Sequence, residues 1–165
     1  MSAIDKTLKA NKAYSNSFAL ADLPKPPGYK LAVVACMDAR VTVEEMLGLK
    51  TGDAHIIRNA GSIVTDDVLR SLVISTRLLG TREIMIIGHT NCGMVSFNEK
   101  ELVDRLVEET GTDVVSPGAF LPFSDLEENV RRQVSKVDHH PWIGSEVSVR
   151  GFVFDVKSGG LKEIL

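Results

Sequence analysis

Leu31-Ala32-Val33-Val34-Ala35-Cys36-Met37-Asp38-Ala39-Arg40 is the stretch on which the fold turns. Its first five residues are apolar and partly β-branched, with no polar residue in alternation, so a strand built from them has to be buried on both faces, as in a parallel sheet. The run ends abruptly at Cys36, where polar residues begin. Ala54 to Ile57 and Ile84 to Ile87 repeat the same apolar character. Between them, Thr65 to Leu79 carries Val68, Leu69, Leu72, Val73 and Leu79 at helical spacing, with Asp66 and Asp67 in the first turn and Gly80 just past the end. These are helix start and stop signals. A shorter helix over Val43 to Leu49 is expected to join the first two strands.

Downstream, Lys100 to Glu109 reads as a helix closed by Gly111, and Thr112 to Phe123, with Pro117, Gly118 and Pro122, as a loop. Ser124-Asp125-Leu126-Glu127 has the form of a capping box opening a helix that runs to about Asp138 before Pro141. Val147 to Val156 reads as a longer strand, and Ser158-Gly159-Gly160 turns it toward a short antiparallel edge at Leu161 to Leu165. The expected fold is therefore α/β: a mostly parallel sheet of about four strands with a C-terminal antiparallel edge strand, flanked by helices. In such sheets ligands bind beyond the carboxyl ends of strands, where the strand order reverses. Cys36 leaves the first strand there and His89 and Cys92 leave the third, so the three converge if those strands are neighbours.

A length of 165 residues fits one domain with a real core. The Pro24-Lys25-Pro26-Pro27-Gly28 joint separates an N-terminal arm, residues 1–29, from a body, residues 30–165. A formal charge of −3 means no broad excess of Lys and Arg, which removes the electrostatic term that dominates nucleic-acid binding, and no nucleic-acid partner is expected. No run approaches the roughly 20 apolar residues of a membrane helix, and the charged first thirty residues lack a signal-peptide core. A cytoplasmic location is expected, and in a reducing compartment the 2 cysteines read as thiols or metal ligands.

Those cysteines sit in Cys36-Met37-Asp38-Ala39-Arg40 and His89-Thr90-Asn91-Cys92-Gly93. Two thiols and an imidazole are zinc-type ligands, and three protein ligands leave a fourth position for water, the arrangement of catalytic zinc. Asp38 and Arg40 lie on the same turn as Cys36, and a guanidinium fork binds a carboxylate through two hydrogen bonds. A cysteine-phosphatase loop would need five residues between Cys and Arg; this chain has Thr42 at that place, and no glycine in the loop. Cys-x-x-Cys is absent, which weakens a disulfide-exchange role. His55, Trp142 and the methionines read as structural or packing residues, and His139 and His140 as the end of a helix.

The combination Cys36-x-Asp38-x-Arg40, Arg58-Asn59-Ala60-Gly61 and His89-x-x-Cys92-Gly93 resembles the β-class carbonic anhydrases, in their small Cab-type branch, over roughly Lys30 to Gly160. The resemblance implies a zinc enzyme interconverting carbon dioxide and bicarbonate, with one zinc per subunit on Cys36, His89 and Cys92 and with hydroxide on the metal as nucleophile. It implies that Asp38 orients that hydroxide and Arg40 holds Asp38, and that in a closed form Asp38 itself moves onto the zinc. Ala60, Gly61 and Gly93 would line the substrate site, Gly93 by avoiding a side chain beside Cys92. Asn91 departs from the Asp common in this branch, removing a charge near the metal. A homodimer or higher assembly is implied, the arm embracing the partner. Two alternatives keep the site: hydrolysis of carbonyl sulfide or carbon disulfide, and a non-catalytic zinc-stabilised module locked with Asp38 on the metal.

Overall fold

The computed structural model describes residues 1–113 and 116–164. Val114 and Val115 of the expected loop, and Leu165 of the expected edge strand, lie outside the described residues. Strand β1, Leu31–Cys36, is buried along its whole length, as its unbroken apolar run demands. It lies between β2, Ala54–Asn59, and β3, Glu83–His89, parallel to both. Strand β4, Ser148–Phe154, extends the sheet in parallel from β3, and β5, Leu161–Glu163, closes it antiparallel, giving the order β2-β1-β3-β4-β5. The chain runs outward from β1 to β2 and then crosses back over β1 to β3, so the order reverses between β1 and β3. Their carboxyl ends open into the crevice that such a reversal creates.

Period-two alternation divides the core between the two sheet faces. Ala32, Val34, Ile84, Ile86 and Val153 meet Val68 and Leu72 of helix α3, Asp66–Leu78, and Val130, Val134 and Val137 of helix α5, Leu126–Asp138. Leu31, Val33, Ala35, Ile87, Phe152 and Phe154 pack on the other face with Val41 and Val43, the latter opening the short helix α2, Val43–Leu47. Helix α5 approaches β4 closely because Gly151 has no side chain: a Cβ there would stand 2.7 Å from Val130 Cγ1 and 2.9 Å from Val134 Cγ2.

Several boundaries move by a residue or two for identifiable reasons. Helix α2 stops at Gly48, whose φ of 65° ends it before Leu49. Helix α5 is capped by Asp125 and not by Ser124: the Asp125 carboxylate accepts the Glu128 N–H at 2.9 Å, and its charge favours the helix N-terminus. Strand β4 is shorter than the Val147 to Val156 run because the Asp155 N–H turns to the Gly160 carbonyl. Helix α4, Glu99–Thr110, ends at Gly111 as its sequence indicates, and presents no buried residue. Trp142 and Met37 are corrections to the packing expectation, at 69% and 66% exposure. Trp142 lines an open groove of about 330 Å³ with Leu69, Val73 and Ile74 of α3.

The arm begins with helix α1, Ala3–Asn16, which has a complete capping box between Ser2 and Asp5 and yet buries none of its residues. Among the described residues, no helix is long and apolar enough to cross a membrane.

Candidate metal centre

The last residue of β1 and the last residue of β3 bring Cys36 and His89 to the same edge, and the turn after β3 returns Cys92 to them. Their ligand atoms all lie within 4.8 Å of one another, and all three residues are buried. No other His, Cys, Asp or Glu cluster of this kind occurs among the described residues. Neither cysteine is bridged.

The donor set fits a zinc ion, and the fit is tested by an orphaned atom. His89 Nδ1 lies 2.9 Å from the Thr90 carbonyl oxygen; because a carbonyl only accepts, Nδ1 carries the hydrogen and the Nε2 lone pair is free. That Nε2 is buried without a hydrogen-bond partner among the described residues. A buried polar atom normally finds a partner, and this one faces two sulfurs. The Cys92 thiol draws the Cys36 thiol down to about 3 by hydrogen bonding to its thiolate, while that same shared proton, with burial, pushes Cys92 up. The Cys36 sulfur draws the His89 imidazole toward its protonated form against burial. All three groups thus solicit positive charge at one point, which is what a divalent cation satisfies.

Asp38 and Arg40 flank this trio in one orientation. Arg40 Nε donates to Asp38 Oδ1 at 2.9 Å, Nη2 to Oδ2 at 2.7 Å, and the Arg40 N–H to Oδ1 at 2.9 Å. These bonds hold the Asp38 carboxyl far below the usual carboxylate range. Its Oδ2 lies 3.8 Å from His89 Nε2, so the ionised group borders the ligand set while remaining in the grip of Arg40. Arg40 Nη2 also donates to the Asn91 carbonyl at 3.0 Å, tying the two motifs together. Asn91 thus acts through its main chain, which has a φ of 53°, a left-handed conformation that Asn tolerates better than most residues.

Arg58 is a residue whose place sequence reasoning left unassigned. From β2 it donates through Nε to the Cys36 carbonyl at 2.9 Å and through Nη2 to the Asp38 carbonyl at 2.8 Å, fixing the turn that bears both. Its inclusion in the Arg58-Asn59-Ala60-Gly61 motif was the available signal. Asn59 closes the next turn by accepting the Ile63 N–H and donating to the Ile63 carbonyl.

Cys36, Met37, Asp38, Ala60, Gly61, Cys92, Gly93 and Met94 line one cavity of about 350 Å³. Gly61 has a φ of 79°, and a Cβ there would stand 2.9 Å from Met94 Cγ and 3.0 Å from Phe123 Cε1. Gly93 differs: beyond its chain neighbours Cys92 and Met94, a Cβ there would meet nothing within 4 Å.

Comparison with known proteins agrees with this geometry. The carbonic anhydrase family pattern matches residues 31–161. A β-carbonic anhydrase 1 of Mycobacterium tuberculosis is 46% identical over 165 residues, covering 99% of each chain. A carbon disulfide hydrolase of Acidithiobacillus thiooxidans is 34% identical over 188 residues, covering 98% of this chain and 86% of its own. The crystal structure of a carbonic anhydrase from Streptococcus mutans superposes with a TM-score of 0.93 at 43% identity, covering 100% of this chain and 99% of that one. The chain is a zinc enzyme belonging to the β-carbonic anhydrase family.

Proposed function

We propose that the chain hydrates carbon dioxide reversibly to bicarbonate and a proton, with one zinc per subunit held by Cys36, His89 and Cys92 and with Asp38 and Arg40 as the catalytic pair. The observation that carries this reading is the convergence of three buried ligand atoms beside a carboxylate already fixed by a guanidinium. When bound, zinc supplies a Lewis acid that makes water acidic enough to furnish a nucleophile near neutral pH. Asp38, kept ionised by Arg40, is an acceptor only and orients the nucleophile by taking a hydrogen bond from it. Arg40 engages both carboxylate oxygens, so Asp38 cannot turn onto the metal without breaking that fork. Ala60, Gly61 and Gly93, with Met37 and Met94, give the cavity an uncharged wall suited to a small linear substrate.

The arm packs on the partner of a homodimer in this reading. Supporting it, Ile4, Leu8, Tyr14, Phe18, Leu20 and Leu23 are exposed on residues 1–29, and a 14-residue helix without tertiary burial is marginal by itself. Residues 30–165 form the catalytic body. Two unbridged thiols accord with a cytoplasmic setting. A fully active monomer in light scattering would remove the dimer.

Stopped-flow hydration by zinc-loaded protein tests the reading. Asp38→Asn should lower the turnover roughly 10²-fold, the scale of a misplaced reactant, with zinc retained. An undiminished rate would refute the role of Asp38. Sulfide release from carbon disulfide without carbon dioxide hydration would move the assignment to the hydrolase activity named for the Acidithiobacillus relative.

A further inference from the structure

The imidazole of His89 depends on its neighbour. The acceptor that fixes its Nδ1–H is the Thr90 carbonyl, so the direction of the Nε2 lone pair is set by the position of the Thr90 peptide. That residue is held from the far side by the end of β4. Its N–H donates to the Phe154 carbonyl at 2.9 Å, its hydroxyl donates to Asp155 Oδ1 at 3.0 Å, and the same hydroxyl accepts the Val156 N–H at 3.1 Å. Asp155 is in turn fixed by the turn that follows: its Oδ2 accepts the Ser158 hydroxyl at 2.7 Å and its Oδ1 the Lys157 N–H at 3.1 Å. An unbroken series of hydrogen bonds thus runs from the β4–β5 turn through Asp155 and Thr90 to the ligand imidazole.

We infer that Thr90 and Asp155 are positioning residues of the metal centre, bracing His89 in the tautomer and ring orientation that present Nε2 to the two cysteine sulfurs. The brace rests on the zinc assignment made above. It mirrors Arg58 across the sheet: β2 holds the turn after β1, and β4 holds the turn after β3. A threonine serves here because its hydroxyl donates and accepts at once, joining the Asp155 side chain to the Val156 main chain. Partners of a metal-bound histidine orient the ring, and their loss typically costs about 10–100-fold in metal affinity.

The experiment is zinc release from the holoenzyme into an excess of chelating dye at neutral pH, with zinc content per chain measured beforehand. Thr90→Val keeps the shape and removes the hydroxyl; it should release zinc about 10–100-fold faster than the natural chain. Thr90→Ser, which keeps the hydroxyl, should release it at the natural rate. Asp155→Ala removes the brace from another element and should approach Thr90→Val, so it carries the test if Thr90→Val does not fold. Ser158→Ala removes the donor to Asp155 Oδ2 while leaving Oδ1 on Thr90, so its release should be accelerated less than that of Asp155→Ala. Equal acceleration in Ser158→Ala and Asp155→Ala would overturn the brace in favour of simple loosening of the turn. Natural release rates in both Thr90→Val and Asp155→Ala, with one zinc per chain retained, would overturn the brace alone. A natural chain that takes up no zinc would overturn the metal assignment itself.

Discussion

Replacing Gly61 by alanine loads two penalties onto one residue at the wall of the metal cavity. The first is conformational: at a φ of 79° and ψ of 11° the backbone is left-handed, which costs an L-residue about 1–2 kcal/mol. The second is steric: the new Cβ would stand 2.9 Å from Met94 Cγ and 3.0 Å from Phe123 Cε1. Met94 is unbranched and can swing aside, but Phe123 is buried against Cys36, Ile63 and Cys92 and has little room. Overpacking of this kind costs about 1–3 kcal/mol. Together the two effects predict a loss of about 2–5 kcal/mol and a fall in Tm of about 5–15 °C for a chain of this size. Urea unfolding of the zinc-loaded protein measures the loss, with Gly93→Ala as the comparison. Gly93 has no positive φ and open space around its Cβ, so its variant should stay within about 0.5 kcal/mol of the natural chain. Equal stability of Gly61→Ala and Gly93→Ala would refute the assignment of strain and crowding to Gly61.

Further perturbations test other joints of the fold. Gly151→Ala should push helix α5 off the sheet and cost about 1–3 kcal/mol in chemical denaturation, because Val130 and Val134 are branched, helical and buried. Arg58→Met should cost about 1–3 kcal/mol by removing the guanidinium donor from the Cys36 carbonyl and leaving the Asp38 carbonyl with the Val41 N–H alone; Arg58→Lys, which lacks the fork, should rescue it only in part in the same urea titration. Arg150 binds both Glu163 oxygens and holds that carboxyl below its ordinary range. The depressed folded-state pKa means that the stabilisation is fully present above the ordinary Glu value of about 4.3 and disappears as pH falls through the lowered one. The Tm gap between the natural chain and Glu163→Gln should therefore hold from pH 8 to about pH 5 and close on further acidification.

The fold was legible where a short segment carried its own instruction. Leu31–Ala35 has no polar alternation and therefore has to be covered on both faces, while Thr65, Asp66, Asp67 and Gly80 punctuate α3 locally. The ligand set was legible because Cys36 and His89 end two such strands and Cys92 follows in the turn after the second. Arg58, Thr90 and Asp155 were harder to read because their bonds join elements separated by 20 to 65 positions in sequence. Nothing local in Thr90 says that its hydroxyl will meet β4. Gly61 and Gly93 look alike in sequence, and only the surroundings distinguish a crowded left-handed position from an open one. Trp142 shows the reverse difficulty: a large aromatic invites a core placement, yet it follows Pro141 on an exposed turn and remains largely uncovered.

The central claim is that one zinc on Cys36, His89 and Cys92 makes this chain hydrate carbon dioxide. The direct measurement is a zinc titration of metal-free protein with stopped-flow hydration recorded at every addition. Hydration should rise in proportion to zinc and level off at one equivalent per chain, and Cys92→Ala should remain at the buffer rate throughout. Protein that binds its full equivalent of zinc and still hydrates carbon dioxide no faster than buffer, from neutral to alkaline pH, would contradict the claim.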